Sequence, residues 1–242
     1  LRRALPFVVA LALLVFVGSR LDFAAFLSAL SQLDTTAFLA YCGAWCVILL
    51  GADALGNFAA YRLTMPGVRY QNFFLYRGAS YLPALLNHHV GQAYMTYLMA
   101  RLSKIPLRRM AGATLVSYAT WMGCLLGTVT IALPFSELPA TYVPVIVVAG
   151  LAYLAVIALR PRRLVQISFL APLFEAGLRG HAIALVARLP HLAVLVLGTW
   201  GSFFFFDVSI PWSTALVYLP ILLVAVTLPI TPQGFGTPDT LA

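Results

Sequence analysis

Long runs of apolar residues, separated by short basic segments, recur along the whole chain and constrain its fold more than any other feature. Hydrophobic residues make up 62% of the 242 residues and charged residues only 9%, against about 25% charged residues in soluble domains. The runs are too many for a single anchor on a soluble body. Because a helix satisfies its own backbone hydrogen bonds in lipid, the sequence predicts an all-α, polytopic membrane helix bundle.

The charged residues predict how this bundle is oriented. The net charge is +8, and the basic residues lie between apolar runs, as the positive-inside rule describes. Arg2 and Arg3 place the N-terminus in the cytoplasm. On this map every basic residue except Arg20 is cytoplasmic, and the outer side holds four acids, Asp22, Asp34, Glu137 and Asp207. Anionic lipid headgroups, and not nucleic acid, are the expected partner of the basic charge.

The apolar runs predict six membrane spans, and two segments between them are predicted to lie at the interface. Residues 22–34 place apolar side chains at helical spacing, as in an amphipathic helix at the outer interface. Residues 164–188 are interpreted as a cytoplasmic interfacial segment, divided into two short helices near Gly177 to Gly180. The predicted spans are 5–18, 36–60, 110–133, 142–159, 189–206 and 211–228. The multi-pass chain is assigned to a bacterial-type cytoplasmic membrane.

Residues 72–100 predict a re-entrant hairpin, a helix, a break and a second helix that enter and leave on one side of the membrane. Pro83 interrupts the first arm, and Asn87-His88-His89 forms the break. Each arm has about a dozen residues, whereas a crossing helix needs roughly 20. Both ends are basic, so both are expected in the cytoplasm. The alternative is an ordinary span that tolerates polar residues.

A second break is predicted at the end of the chain, in residues 228–242. Three prolines and two glycines follow an apolar run there, and such a segment cannot continue a helix. We interpret it as the first half of a second re-entrant element. Residues 1–242 are treated as one transmembrane domain, and we expect sequence to be missing at both ends.

One motif in this segment resembles a known family. The pattern is Pro229-x-x-Pro232-x-Gly234-x-Gly236-x-x-Asp239. It is similar to the Pro-x-x-Pro-Gly-Gly-x-Gly-x-x-Glu pattern of the flippase-like family named for the transmembrane region of lysylphosphatidylglycerol synthase. The order of spans and breaks is also similar over nearly the whole chain, and Arg62 matches a commonly basic position.

The first break departs from the pattern of that family. Gly91 matches, but Asn87-His88 replaces Pro-Gly, Gln92 replaces an acid and Met95 replaces an arginine. The resemblance implies a stand-alone lipid transporter without an aminoacyl-transfer domain.

The two breaks together predict a groove for the headgroup of an anionic phospholipid or a polyprenyl-phosphate-linked lipid. Broken helices at membrane depth often form transport sites, and their N-termini favour anions. The predicted substrate-binding residues are Arg77, Asn87, His88, His89, Gly91, Gln92, Arg101, Pro232, Gly234, Gly236 and Asp239.

Each charged or titratable member of that set has a structural alternative. Arg77 and Arg101 are alternatively topology markers that reach the interface. The two histidines alternatively satisfy broken backbone, and Asp239 alternatively caps a helix.

Asp53 and Asn57 form a separate candidate, because both fall inside the second span on one helical face. A carboxylate inside a span is costly and usually faces protein or water. We interpret the pair as a structural contact between helices, with an intramembrane proton relay as the alternative.

Catalysis has little support in the sequence, and no metal or other cofactor is predicted. No zinc-protease, nucleophile-elbow or phosphate-loop motif is present. The three cysteines lie in apolar runs, which favours buried thiols over disulfides. The leading hypothesis is therefore a lipid flippase. The alternatives are a non-catalytic accessory subunit of a larger membrane complex and a membrane enzyme that acts on lipids.

Overall fold

The computed structural model of the chain describes residues 15–16, 18–19, 22–85, 87–137 and 141–227, and every regular element in these ranges is helical. Most of the predicted span 5–18 and the whole predicted break 228–242 lie outside them. In chain order the helices are α1 (Phe23–Gln32), α2 (Thr35–Arg62), α3 (Tyr70–Ala84), α4 (His88–Ser103), α5 (Leu107–Ala132), α6 (Tyr142–Leu159), α7 (Arg162–Val165), α8 (Ala171–Phe203) and α9 (Trp212–Thr227). Two 3-10 turns, Leu133–Phe135 and Phe204–Phe206, extend α5 and α8.

Four of the described helices are long and apolar enough to cross a membrane. They are α2, α5 with its 3-10 turn, α6, and α8 with its 3-10 turn. The prediction of an all-helical chain with several membrane-length helices is confirmed. Large apolar side chains such as Val47, Val148 and Leu197 face outward from these helices. Monomeric soluble proteins rarely expose apolar surface on this scale, so the exterior suits a lipid environment.

The bounds of most elements match the sequence prediction. The run 142–159 forms α6 without a shift, and the ends of α2 and α5 differ from the prediction by one to three residues. A helix also forms in the predicted amphipathic segment: α1 begins after Asp22, whose carboxylate accepts hydrogen bonds from the backbone N–H of Ala24 and Ala25 at 3.0 Å. The side chain of Asp22 therefore caps this helix.

The segment 72–100 folds as two helices with a break between them. Its arms, α3 and α4, contain 15 and 16 residues, so each is about 22–24 Å long. They lie side by side, because a Cβ on Gly91 would come within 2.8 Å of the carbonyl oxygen of Ser80. At the other end of the pair, Phe73 of α3 and Met99 of α4 belong to one buried cluster. The chain thus reverses direction at the break.

The predicted boundary between an interfacial segment 164–188 and a span beginning at Leu189 is wrong. Helix α8 runs from Ala171 to Phe203. Its backbone departs from helical geometry at Gly177, at φ 56° and ψ −175°, a conformation open essentially to glycine alone. The break near Gly177 was predicted, but the helix beyond it continues past Arg188 into the bundle. The charged residues up to Arg188 were the misleading signal, because they suggested an interface, whereas Arg188 is buried in the bundle.

Helix α8 is the central element of the bundle. Near one end of α2, Tyr41 donates a hydrogen bond to the carbonyl of Gly198 at 2.6 Å, and Trp45 donates one to the carbonyl of Val194 at 3.0 Å. A second buried cluster, which includes Ala60, Phe174 and Ala184, joins α2 and α8 further along. A third joins α5, α8 and α9 through residues such as Leu125, Val196 and Ala215. Helices α2, α5 and α8 therefore enclose the interior in which polar side chains meet.

Candidate functional site

A buried carboxylate, that of Asp53, lies where three helices meet. It is in α2 and only 3% exposed. Its Oδ2 accepts a hydrogen bond from Nε of Arg77 at 2.5 Å and one from the hydroxyl of Tyr81 at 3.0 Å, both from α3. Its Oδ1 accepts from Asn57 one turn later at 2.8 Å and from Nη1 of Arg188 in α8 at 3.2 Å. Asp53 therefore ties α2 to both α3 and α8.

Arg77 extends this network toward α4 and α5. Its Nη1 donates a hydrogen bond to Oε1 of Gln92 at 3.0 Å, and the amide nitrogen of Gln92 donates to the hydroxyl of Tyr61 at 3.1 Å. The Tyr61 hydroxyl lies 2.8 Å from that of Thr114 and 3.2 Å from that of Thr96. The Nε and Nη1 groups of Arg77 are thus paired in the interior, as buried polar groups require.

Arg188 is the second buried cation, and it is only 3% exposed. Its Nη2 donates to Oδ1 of Asn57 at 2.9 Å and also to the hydroxyl of Ser117. Its Nε packs against Gly56 and is buried without a hydrogen-bond partner among the described residues. A Cβ at position 56 would lie 2.7 Å from Cδ of Arg188. The absence of a side chain at Gly56 therefore makes room for the guanidinium.

These groups line a cavity of about 250 Å³. One wall is aromatic: the ring of Trp121 stacks on that of His191 with centroids 4.8 Å apart, and Arg188 lies 5.9 Å from the Trp121 ring. The lining residues are Asp53, Asn57, Arg77, Tyr81, His88, Gln92, Ser117, Tyr118, Trp121, Arg188, His191, Leu195 and Leu223. All of α2, α3, α4, α5, α8 and α9 contribute at least one of them.

The electrostatic character of the lining is cationic. Two guanidinium groups face one carboxylate among the described residues, and Nδ1 of His191 lies 3.6 Å from Oδ1 of Asp53. With the histidines neutral, the described residues leave one positive charge without a counterion. Burying an unpaired charge is costly, and ion pairs in protein interiors need matched charge and geometry. The cavity therefore favours an anion, which would restore neutrality.

The predicted site residues do not all line the cavity. Five of them line the cavity, namely Asp53, Asn57, Arg77, His88 and Gln92. Three others in the hairpin have visible structural positions. The Oδ1 of Asn87 accepts from the backbone N–H of His89 at 2.8 Å and caps α4, His89 is exposed, and Gly91 allows α3 and α4 to pack closely.

Five predicted site residues remain, namely Arg101 and the four of the late break. Arg101 is exposed and lies 13 positions after His88 in the same helix, so about 20 Å of helix separates it from the cavity. Arg101 therefore does not line the cavity. Pro232, Gly234, Gly236 and Asp239 lie outside the described residues.

Sequence reasoning missed several residues of this cavity, above all Arg188. Six apolar residues precede Arg188 (182–187) and six follow His191 (192–197), and that apolar setting was the available signal. An arginine in such a setting needs a buried acid, and Asp53 was the buried acid already identified. Tyr81, Ser117 and Trp121 carry no comparable signal in sequence.

The cavity contains no recognisable metal site within the described ranges, because no group of three or more metal-ligating side chains forms there. The three cysteines, Cys42, Cys46 and Cys124, are free thiols. Comparisons with protein-family models, with curated proteins and with solved structures found no match to this chain. The functional argument therefore depends on the cavity itself.

Proposed function

We propose that this chain is a membrane transporter of lipids that binds the anionic headgroup of its substrate in the cavity between Asp53, Arg77 and Arg188. The observation that carries the proposal is the pair of buried arginines that share one carboxylate. Arginine binds phosphate through a planar fork of N–H donors. A headgroup phosphate in the cavity would supply the second anion that makes this cluster neutral.

The position of the cavity along the helices supports a site at membrane depth. Asp53 precedes Arg62, at the basic end of α2, by nine residues, or about 14 Å of helix. A hydrocarbon core is about 30 Å thick. With Arg62 at the cytoplasmic interface, Asp53 lies close to the middle of the membrane.

The hairpin of α3 and α4 reaches the same depth in this proposal. His88, the first residue of α4, lines the cavity together with Asp53. From Asp53, α2 continues for 18 residues toward its own N-terminus at Thr35, about 27 Å. The tip of the hairpin therefore stops at the level of the cavity, far from the end of α2. A re-entrant hairpin with both basic ends in the cytoplasm would have its tip at this level and not at the far end of α2.

The resemblance to the flippase-like family of the lysylphosphatidylglycerol synthase transmembrane region points to the same function. In that interpretation the late break 228–242 would close the groove with its backbone, and Asp239 would cap the helix that follows it. The N-terminus is placed in the cytoplasm, the membrane is a bacterial-type cytoplasmic membrane, and α1 lies at the outer interface. No catalytic step is part of the proposal.

A structural or accessory role in a larger membrane complex is the second candidate, and one observation favours it. The two oxygens of Asp53 already accept four hydrogen bonds from three helices. A network so well satisfied is also what a purely structural cross-link would need. The two functions differ in whether the cavity admits a lipid.

Reconstitution of the full chain into vesicles with labelled anionic phospholipid separates the two functions. We expect headgroup-dependent transfer between leaflets with the native chain and loss of transfer with Arg188→Gln. Arg109→Gln is the matched control, because Arg109 forms an exposed ion pair with Glu175 at 2.6 Å, away from the cavity. The Arg188→Lys variant separates loss of charge from loss of the fork. Absence of transfer by the folded native chain, with stable co-purification of other subunits, would support the accessory role instead.

A further inference from the structure

We infer that the cavity selects a phosphodiester monoanion and rejects phosphate groups that carry two or more negative charges. The inference depends on the proposed function, since it narrows the substrate of the same site. It starts from the charges of the cavity lining. Two guanidiniums and one carboxylate line the cavity among the described residues, and its other lining groups are neutral when histidine is neutral.

The charge balance decides between classes of phosphate. A phosphodiester carries one negative charge and would bring the cluster to neutrality. A phosphomonoester carries about two negative charges at neutral pH, because its second pKa is near 6. Binding it would convert one unpaired positive charge into one unpaired negative charge. A buried unpaired charge is unfavourable whichever its sign, so a dianion gains little over an empty site.

The polar groups of the cavity suit the neutral oxygens and hydroxyls of such a headgroup. The hydroxyl of Tyr81 lies beside Arg77, and Ser117 lies beside Arg188. Leu195 and Leu223 supply an apolar wall. The cavity volume of about 250 Å³ lies below the roughly 300–1,000 Å³ typical of pockets for drug-sized ligands. The cavity therefore matches a lipid headgroup in size, and the acyl chains would remain in the bilayer.

Gln92 is uncharged, and its neutrality leaves the cluster with a net positive charge. Its Oε1 accepts a hydrogen bond from Arg77, and it is 7% exposed. A glutamate here would keep the same shape and the same contact with Arg77. It would also cancel the one net positive charge of the cluster. The neutral amide therefore leaves the cavity able to bind an anion, and its replacement by an acid removes that ability.

The test is calorimetric titration of the purified full chain in non-ionic detergent at pH 8. The probes are dihexanoyl phosphatidylglycerol, a phosphodiester monoanion, and dihexanoyl phosphatidic acid, a phosphomonoester. A polyprenyl phosphate esterified to a single sugar is a third probe, which distinguishes a polyprenyl from a glycerophospholipid source. We expect the native chain to bind a phosphodiester at least about tenfold more tightly than the phosphomonoester, a difference of about 1.4 kcal/mol.

Gln92→Glu should weaken phosphodiester binding by about tenfold or more. Gln71→Glu is the matched control, because Gln71 is exposed near the start of α3. This variant should bind the phosphodiester as tightly as the native chain does. Asp53→Asn, which adds one net positive charge, should shift preference toward phosphatidic acid. Equal or tighter binding of phosphatidic acid by the native chain overturns the inference and leaves the proposed function standing. Failure of every lipid phosphate to bind overturns the proposed function as well.

Discussion

The Oδ2 of Asp53 accepts a hydrogen bond from Nε of Arg77 at 2.5 Å, and this contact joins the second half of α2 to the hairpin of α3 and α4. The other carboxylate oxygen faces Arg188 of α8 at 3.2 Å. One acid therefore positions two cations that lie 111 residues apart in the sequence. Stability and binding in this protein should both depend on Asp53.

Replacement of Asp53 by alanine should destabilise the fold by about 3–5 kcal/mol, because it leaves Arg77 and Arg188 buried without their acid. The measurement is unfolding of the purified chain in detergent, followed by circular dichroism. Asp34→Ala on the same helix is the control. Asp34 is an exposed N-cap that accepts a hydrogen bond from the backbone N–H of Ala37 at 3.0 Å. Its loss should cost only about 0.5–2 kcal/mol. Equal effects of the two substitutions would contradict a buried charge network.

Replacement of Gly56 by alanine should displace the guanidinium of Arg188 from its position against α2. A Cβ there would come within 2.7 Å of Cδ and 3.1 Å of Nε of that arginine, and overpacking of this kind costs about 1–3 kcal/mol. Gly51→Ala on the same helix meets no atom within 4 Å. It should be neutral or slightly stabilising, since alanine favours helix. The two variants are compared by thermal unfolding and by titration with phosphatidylglycerol. If both variants bind as the native chain does, the position of Arg188 is irrelevant to the site.

Replacement of Gly91 by alanine should separate the two arms of the hairpin. Its Cβ would lie 2.8 Å from the carbonyl oxygen of Ser80 and 2.9 Å from Cα of Ala84, atoms of backbone that cannot rotate away. Gly78→Ala, on the first arm, would meet only Leu50 at an ordinary 3.6 Å. Protease resistance of the purified chain is expected to fall for Gly91→Ala and to stay at the native level for Gly78→Ala. The reverse order would show that close packing of the arms is unimportant.

The proposed re-entrant path of the hairpin predicts that both of its ends are reached from the same side of the membrane. Single cysteines at Arg69 and Lys104, in a chain whose three native cysteines are replaced by serine, should react with an impermeant maleimide in inside-out vesicles and not in intact cells. A cysteine at Asp207 should react in intact cells. Labelling of positions 69 and 104 from opposite sides would mean that the hairpin crosses the membrane.

Local features of the fold were predictable from the sequence because they depend on neighbouring residues. Apolar runs with basic ends located α2, α5 and α6 to within a few residues. The break at Asn87 was visible because a proline and three polar residues interrupt a run too short to cross a bilayer. The glycine break near Gly177 was visible for the same kind of reason.

The composition of the cavity depends on contacts between distant segments, so fewer of its residues could be predicted from the sequence. Arg77 was identified as a candidate, but as a residue at the mouth of the hairpin, whereas it is 7% exposed and paired with Asp53. Arg188 was assigned to an interfacial segment because charged residues recur up to that position. The helix instead continues past Arg188 into the bundle. Only the packing of α8 against α2 brings Arg188 to Asn57 and Asp53.

Mass spectrometry of the lipids retained by the gently purified chain tests the central claim most directly. If Arg77 and Arg188 hold a headgroup phosphate, the native chain should retain an anionic phospholipid selectively over the bulk membrane composition. That enrichment should be lost in Arg188→Gln and kept in Arg109→Gln. A native chain whose retained lipids mirror the bulk membrane, or an enrichment that survives Arg188→Gln unchanged, would contradict the account.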